Sequence, residues 1–396
     1  MISGEGPPRR WREAAVHDEE GVAMGVGSVQ EPFKVGFLCD IVMPPHDSWD
    51  LLGDFFRSLD LAFDEALATE LLDRPVEVVR RTVEGLPRGN AKVVLDAWDQ
   101  LVADGCVLVI GPLISENAIP LREHIERGGF VPTISWCGSE DWLGEWTFAL
   151  SDGNLTEEGY YLANLCAQAG LRRIGVSYER SLIGAEYLSN LRRACDQEGV
   201  EIVATAPIAQ TAVAADGVVA ALRAAAPDAI VHVGFGLGLI RINEALAAVG
   251  WDPPRYTTTA WENGFMSDEI FRAYEGWIGI EHYDEENPVG QAVLDRFEAA
   301  YGTRPEYPYS LYGYDMGQIV AHALAYAEPV APTGVLHGLE KVKMLPSALG
   351  VAGTRISFGK WKRNGWHGAG YMVARSVAPD LKSTVLRGRL GPPVPR

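Results

Sequence analysis

"VLVIGPLISENAIP", residues 107–120, decides how the rest of the chain is read. Its first four residues are continuously apolar, as in a strand covered by helices on both faces. Gly111-Pro112 then breaks the run, and Ser115 stands where a helix would open. The first turn of a helix leaves backbone N–H groups unpaired. A serine at that point either caps the helix or helps to hold the polar end of a ligand, because the same groups serve both purposes. Spacing alone leaves the two readings open.

The same strand–turn–helix rhythm extends in both directions. "KVGFL" (34–38), "VEVVRRTVE" (76–84) and "VPTIS" (131–135) read as strands. The spacing predicts a helix over 51–72, with Phe55, Leu59 and Phe63 on one side, and further helices over 91–104 and 114–129. A second α/β series follows, through "RRIGVSY", "VEIVATAPI", "DAIVHVGF" and "RYTTTAW". Such alternation specifies parallel sheets flanked by helices. The fold class is therefore α/β, with two Rossmann-like lobes. Residues 1–33 are expected to be loosely ordered. Residues 34–151 form one lobe and 152–283 the other. Two helices over 284–338 return to the first lobe, since no strand separates them. Residues 339–378 are expected to go back to the second lobe, with a hairpin turning at Asn364-Gly365. The Pro-rich tail, 379–396, is expected to be mobile.

Composition narrows the function. A formal net charge of -19 and a pI near 4.9 oppose binding to phosphate backbones, so nucleic acid is not an expected partner. The five cysteines, at 39, 106, 137, 166 and 195, have neither zinc-site spacing nor the pattern of a disulfide scaffold. There is no nucleotide loop, Walker motif or nucleophile elbow, and "GFGLGL" (234–239) has the wrong glycine spacing for a dinucleotide. Cofactor, metal and catalytic residues are accordingly expected to be absent. Cys137 lacks a partner base that would make it a nucleophile. No export signal is legible near the start, so the chain reads as cytoplasmic as it stands; a start lost upstream would make it extracytoplasmic.

The order of these elements resembles the type I periplasmic binding proteins, in the branch that binds leucine, isoleucine and valine or, in cytoplasmic relatives, short amides. The resemblance rests on "KVGF", on residues 91–135, on "IGVSYERSLIGAEYLSNLRRACDQEGVEIV" and on "YSLYGYDMGQIVAHALAYA", and covers about residues 34–375. It implies two lobes joined by crossing segments and closing on a small-molecule ligand. It also implies that Ser115 and Ser139 meet the ligand's polar end, with Ser135, Trp136 and Cys137 in the same turn. Amino-acid binders of this family hold the ligand ammonium with an acidic residue after the strand matching "RYTTTA". Trp261 falls at that position and Glu262 one step later; Ile183 falls where those relatives carry a tyrosine.

Trp49, Trp136, Trp142 and Trp261, with Met43 and His46, therefore suggest a bulky aromatic acid or amide rather than a branched-chain amino acid; the latter is the alternative, and a hydrolytic enzyme on the same scaffold a weaker one. Tyr178 and Phe235 are expected on the cleft rim, Tyr283 on a crossing segment, and Tyr309 and Tyr312 at the start of a helix approaching the cleft. An ABC permease or a cytoplasmic regulatory partner would receive the signal or solute. Homodimerisation through the helices at 51–72 and 91–103 is a further expectation.

Overall fold

The computed structural model describes residues 30–42, 52–236, 238–305, 309–368 and 370–391. The account below concerns the unit Pro32–Arg396, distinct from Met1–Glu31. The expectation for most of residues 1–33, and those for Met43, His46 and Trp49, lie outside the described residues.

The first lobe is built on β1 (Phe33–Cys39), β2 (Val76–Thr82), β3 (Leu108–Ile110), β4 (Thr133–Ser135) and β5 (Thr147–Ala149). They form one parallel sheet in the order β2-β1-β3-β4-β5. Alternate side chains of β1 feed opposite faces. Val35 and Phe37 enter a core shared with α1 (Gly53–Ala68), while Leu38 enters one shared with α2 (Ala91–Ala103) and α3 (Ser115–His124). Asn90 caps α2 by accepting the Val93 N–H at 3.3 Å.

The second lobe repeats the plan with β6 (Arg173–Glu179), β7 (Glu201–Ile208), β8 (Ala229–Val233), β9 (Arg255–Thr257) and β10 (Trp277–Glu281). Here α4 (Glu157–Gln168) and α5 (Leu182–Glu198) pack together on one face, α6 (Asp216–Ala224) and α7 (Leu239–Ala248) on the other, and α8 (Asp268–Ala273) precedes β10. After β10 the chain runs through α9 (Pro288–Tyr301), α10 (Ser310–Ala325) and α11 (Pro332–Lys341). Helix α10 lies along α1 in the first lobe, with the backbone at Gly313 so close to the Phe55 carbonyl that a Cβ would sit 2.1 Å from it. Among the described residues no helix is long and apolar enough to cross a membrane.

The C-terminal expectations need correcting. The segments β11 (Leu345–Pro346), β12 (Thr354–Ile356) and β13 (Trp366–Gly368) form a separate antiparallel sheet, and Asn364 bridges to Ala149 at the edge of the first lobe. The tight turn falls at 359–362, where Gly359 and Lys362 exchange backbone hydrogen bonds; Asn364 and Gly365 instead serve that bridge. Only β14 (Met372–Val377) and β15 (Thr384–Leu390) join the second sheet, in the order β15-β14-β10-β9-β8-β6-β7. Much of the tail thus forms a strand rather than a mobile end. Arg389 reaches from β15 to Asp284, at 2.6 and 2.9 Å, and fastens it there.

Candidate functional site

The chain passes between the lobes after β5 and again after β10, and strand ends of both lobes lie beside these links. In the first lobe, Asp40 follows β1 and is buried. Its carboxylate accepts the N–H groups of Leu113 (2.7 Å) and Ile114 (3.2 Å) and the Asn117 side-chain amide (2.7 Å). Asn117 in turn accepts the Leu86 N–H at 2.9 Å. One acid and one amide thus tie together the loops after β1, β2 and β3. Burial raises Asp40 to about 6, against the lowering effect of those donors. The Leu113 and Ile114 amides, which precede the helix at Ser115, are thus taken by an internal carboxylate.

The two serine-bearing turns do lie side by side. The Cys137 thiol donates to the Ser115 hydroxyl at 3.1 Å. The Ser135 hydroxyl donates to the Pro112 carbonyl (2.6 Å) and accepts the Cys137 N–H (2.9 Å). Burial pushes the Cys137 thiol up to about 12, which favours the protonated thiol at neutral pH. The Ser139 hydroxyl donates to Glu186 of α5 at 2.8 Å, a hydrogen bond from lobe to lobe. Trp136 packs edge-on against Phe37 and tilted on Phe55; its indole N–H is buried without an acceptor among the described residues, whereas Trp142 is wholly buried and donates to the Phe148 carbonyl at 2.6 Å.

At the crossing segments, Asp152, Glu262 and His282 place one ligand atom each within 4.8 Å of one another. Asp152 follows β5, Glu262 follows β9 and His282 follows β10. His282 Nδ1 lies 2.8 Å from Glu262 and 3.5 Å from Asp152, and its ring stacks on Trp366 and Tyr371. Its Nε2 accepts the Gly153 N–H at 3.2 Å, so the ring proton sits on Nδ1. A metal ion at Nδ1 would have to displace this proton. Burial lowers His282 to about 4 and keeps it neutral. Burial, then Glu262, drives Asp152 well above the usual carboxylate range; burial, then Glu281, does the same to Glu262. Among the described residues no Lys or Arg pairs with either carboxylate, and the Asp152 side chain keeps 23% of its surface accessible. A positively charged group entering there would displace a proton and take both carboxylates as acceptors.

Residues 33–372 match the family described as periplasmic binding protein. The chain belongs to that family. Solved structures share its fold at low identity. One is a solute-binding protein of an ABC transporter from R. palustris, in complex with benzoate: 18% identical, covering 92% of this chain and 98% of that one, TM-score 0.71. Another is a leucine-binding protein from Thermotoga maritima: 14% identical, covering 90% and 98%, TM-score 0.72. A third is a branched-chain amino acid binding protein from Streptococcus pneumoniae with isoleucine: 18% identical, covering 90% and 100%, TM-score 0.71. No curated protein matches the sequence closely enough to count as a relative.

Within this periplasmic binding protein, the predicted residues fall into three groups. Ser115, Ser135, Trp136, Cys137 and Ser139 cluster on the first lobe. Ile183, at the start of α5, faces them: its backbone and Ser181 lie against Glu116 of α3. Phe235 meets the first lobe at a small cavity lined also by Asp40, Ile41 and Ile114, and Tyr178, at the end of β6, is half-buried. Two residues lie elsewhere. Trp261 is 1% exposed and packs at 90° on Tyr274 in the second lobe's own core. Tyr283 accepts from Gln291 at 3.1 Å and lies under the Arg375 guanidinium. Trp261 turns into that core because Thr259–Met266 is a 3-10 turn, not a continued strand in which neighbouring side chains alternate. Asp40, Asp152 and His282 were missed. Each stands alone in sequence beside a strand end, and only the crossing of segments brings the last two to Glu262.

Proposed function

We propose that this binding protein closes around a small solute bearing a protonated amine and an apolar or aromatic body. The observation that carries the reading is the Asp152–Glu262 pair: two carboxylates that meet between the lobes with a neutral histidine and no cation. An ammonium group would satisfy them, while Trp136, Phe55, Tyr309 and Tyr312 offer a wall for the apolar part. The expectation of an acid without an amine rests on Trp261 and Ile183; Trp261 supports the second lobe's core instead, whereas Ile183 stays at the start of α5 beside Glu116. Uptake through an ABC permease, or sensing through a regulatory partner, would use the same closure.

A second reading, an aromatic carboxylate or amide, is favoured by the unpaired indole N–H of Trp136 and the hydroxyl of Ser115, both suited to an oxygen. Calorimetry separates the two. Under the first reading leucine or phenylalanine binds, releases a proton, and loses roughly a hundredfold in affinity in Glu262→Gln, as expected for a charged acceptor removed from a desolvated site. Trp261→Phe then leaves affinity nearly unchanged. Binding of benzoate or phenylacetate, with none of the amines, would overturn the first reading and support the second.

A further inference from the structure

The face that carries Trp361 is independent of the ligand site. Trp361 is 90% exposed, at the tip of the 359–362 turn. The turn is held firmly: Gly359 and Lys362 exchange hydrogen bonds at 3.0 and 3.1 Å, and Arg363 donates to the carbonyls of Gly359 (3.3 Å) and Gly144 (2.9 Å). The backbone that carries the indole is therefore firmly set, and Lys360 Nζ lies 5.4 Å from the centre of its ring. Residues 341–363 contain six Lys or Arg and no Asp or Glu, in a chain of net charge -19.

Arg363 joins this basic turn to an acidic one. Glu140, Asp141 and Glu145 are exposed on the segment that Gly144 belongs to. Beside it, Phe130 is 47% exposed, holds a left-handed backbone (φ 50°) and lies 5.6 Å from the half-buried Trp146 ring. The Arg363–Gly144 hydrogen bond thus sets the turn with the projecting indole and its lysines beside a segment that carries carboxylates and an aromatic patch. A two-fold contact requires such self-complementarity, because each half must meet the other half of an identical copy.

We infer that this face docks a second copy of the chain about a two-fold axis, with Trp361 of each copy against Phe130 and Trp146 of the other and Lys360 facing Glu145. A buried indole ringed by charge pairs has the composition of an interaction hot spot. The general negative charge opposes association, so the dimer forms best where salt screens long-range repulsion. The expected surface differs from the helices at 51–72 and 91–103.

Sedimentation equilibrium of the full chain at physiological ionic strength tests this. A reversible monomer–dimer equilibrium is expected. Trp361→Ala should weaken dimerisation by roughly tenfold or more. Lys360→Glu should also weaken it, and the double variant Lys360→Glu with Glu145→Lys should restore it. Trp361 is exposed, so the single variants should keep the wild-type unfolding transition, which serves as the folding control. A wild-type chain that stays monomeric, or a dimer indifferent to both substitutions, overturns the inference. So does a monomer that instead sediments with vesicles containing anionic lipid.

Discussion

Asp40 and Glu179 occupy corresponding places in the two lobes and behave oppositely. Each follows or ends the first strand of its sheet, each is buried, and each accepts two backbone N–H groups and a side-chain amide. For Glu179 the donors are Phe235 (2.7 Å), Gly236 (2.7 Å) and Gln210 (3.1 Å). The carboxylate packs so closely that a Cβ on Gly234 would lie 2.5 Å from Glu179, which only glycine accommodates. Burial opposes the charge in both cases. At Asp40 burial wins and raises it to about 6. At Glu179 the neighbouring His232, with Nε2 3.9 Å away, tips the balance together with the donors, and the carboxyl is held below its usual range. The same loop-holding task thus tolerates either protonation preference, and one adjacent histidine decides which.

The largest expected effect comes from removing the acceptors. Glu179→Ala strands three donors and the polar side of His232, and should cost about 3–5 kcal/mol in chemical denaturation. Asp40→Ala should cost less, about 2–4 kcal/mol, because its ionised form is already penalised by burial. Equal losses would break the distinction between the two lobes.

A smaller and sharper effect is expected with pH. An Asp raised in the folded state stabilises fully below its unfolded value and loses that contribution as pH rises through about 6. Wild type should therefore gain about 1–2 kcal/mol over Asp40→Asn between pH 7.5 and 5. Glu179 has a lowered value, so its contribution is present above the unfolded value and is lost only as pH falls through the folded one. The gap between wild type and Glu179→Gln should stay flat across the same window. Paired urea titrations at the two pH values read both; a parallel shift would show that His232 does not set the difference.

The smallest effects concern the serines behind these loops. Ser135 makes two hydrogen bonds and Ser177 one, to His232 at 2.9 Å. Ser135→Ala should cost about 1–2 kcal/mol and Ser177→Ala about half of that by thermal unfolding. A larger loss at Ser177 would mean that the orientation of His232, and with it the charge of Glu179, depends on that one bond.

The apolar runs and their alternation with helical stripes were enough to read two α/β lobes and the return helices, because period and burial are local properties of sequence. The neighbouring turns at Ser115 and Ser139 were also legible, since adjacent parallel strands end on the same side. The direction of Trp261 and Glu262 was not. It depends on whether the chain after β9 stays extended or tightens into a 3-10 turn, and packing on Tyr274 accompanies the second outcome. Nor could sequence show that Asp40 takes the amides at Leu113 and Ile114, 73 and 74 residues away. The C-terminal strand was misread for a similar reason: its polar residues look like those of a free tail until Arg389 finds Asp284, 105 residues upstream. Sequence by itself determined most of the strands and helices and which lobe most of them build; the last strand and the small antiparallel sheet escaped it. Tertiary structure alone decided which carboxylates are buried together, because desolvation and hydrogen bonding depend on neighbours in space, whatever their separation along the chain.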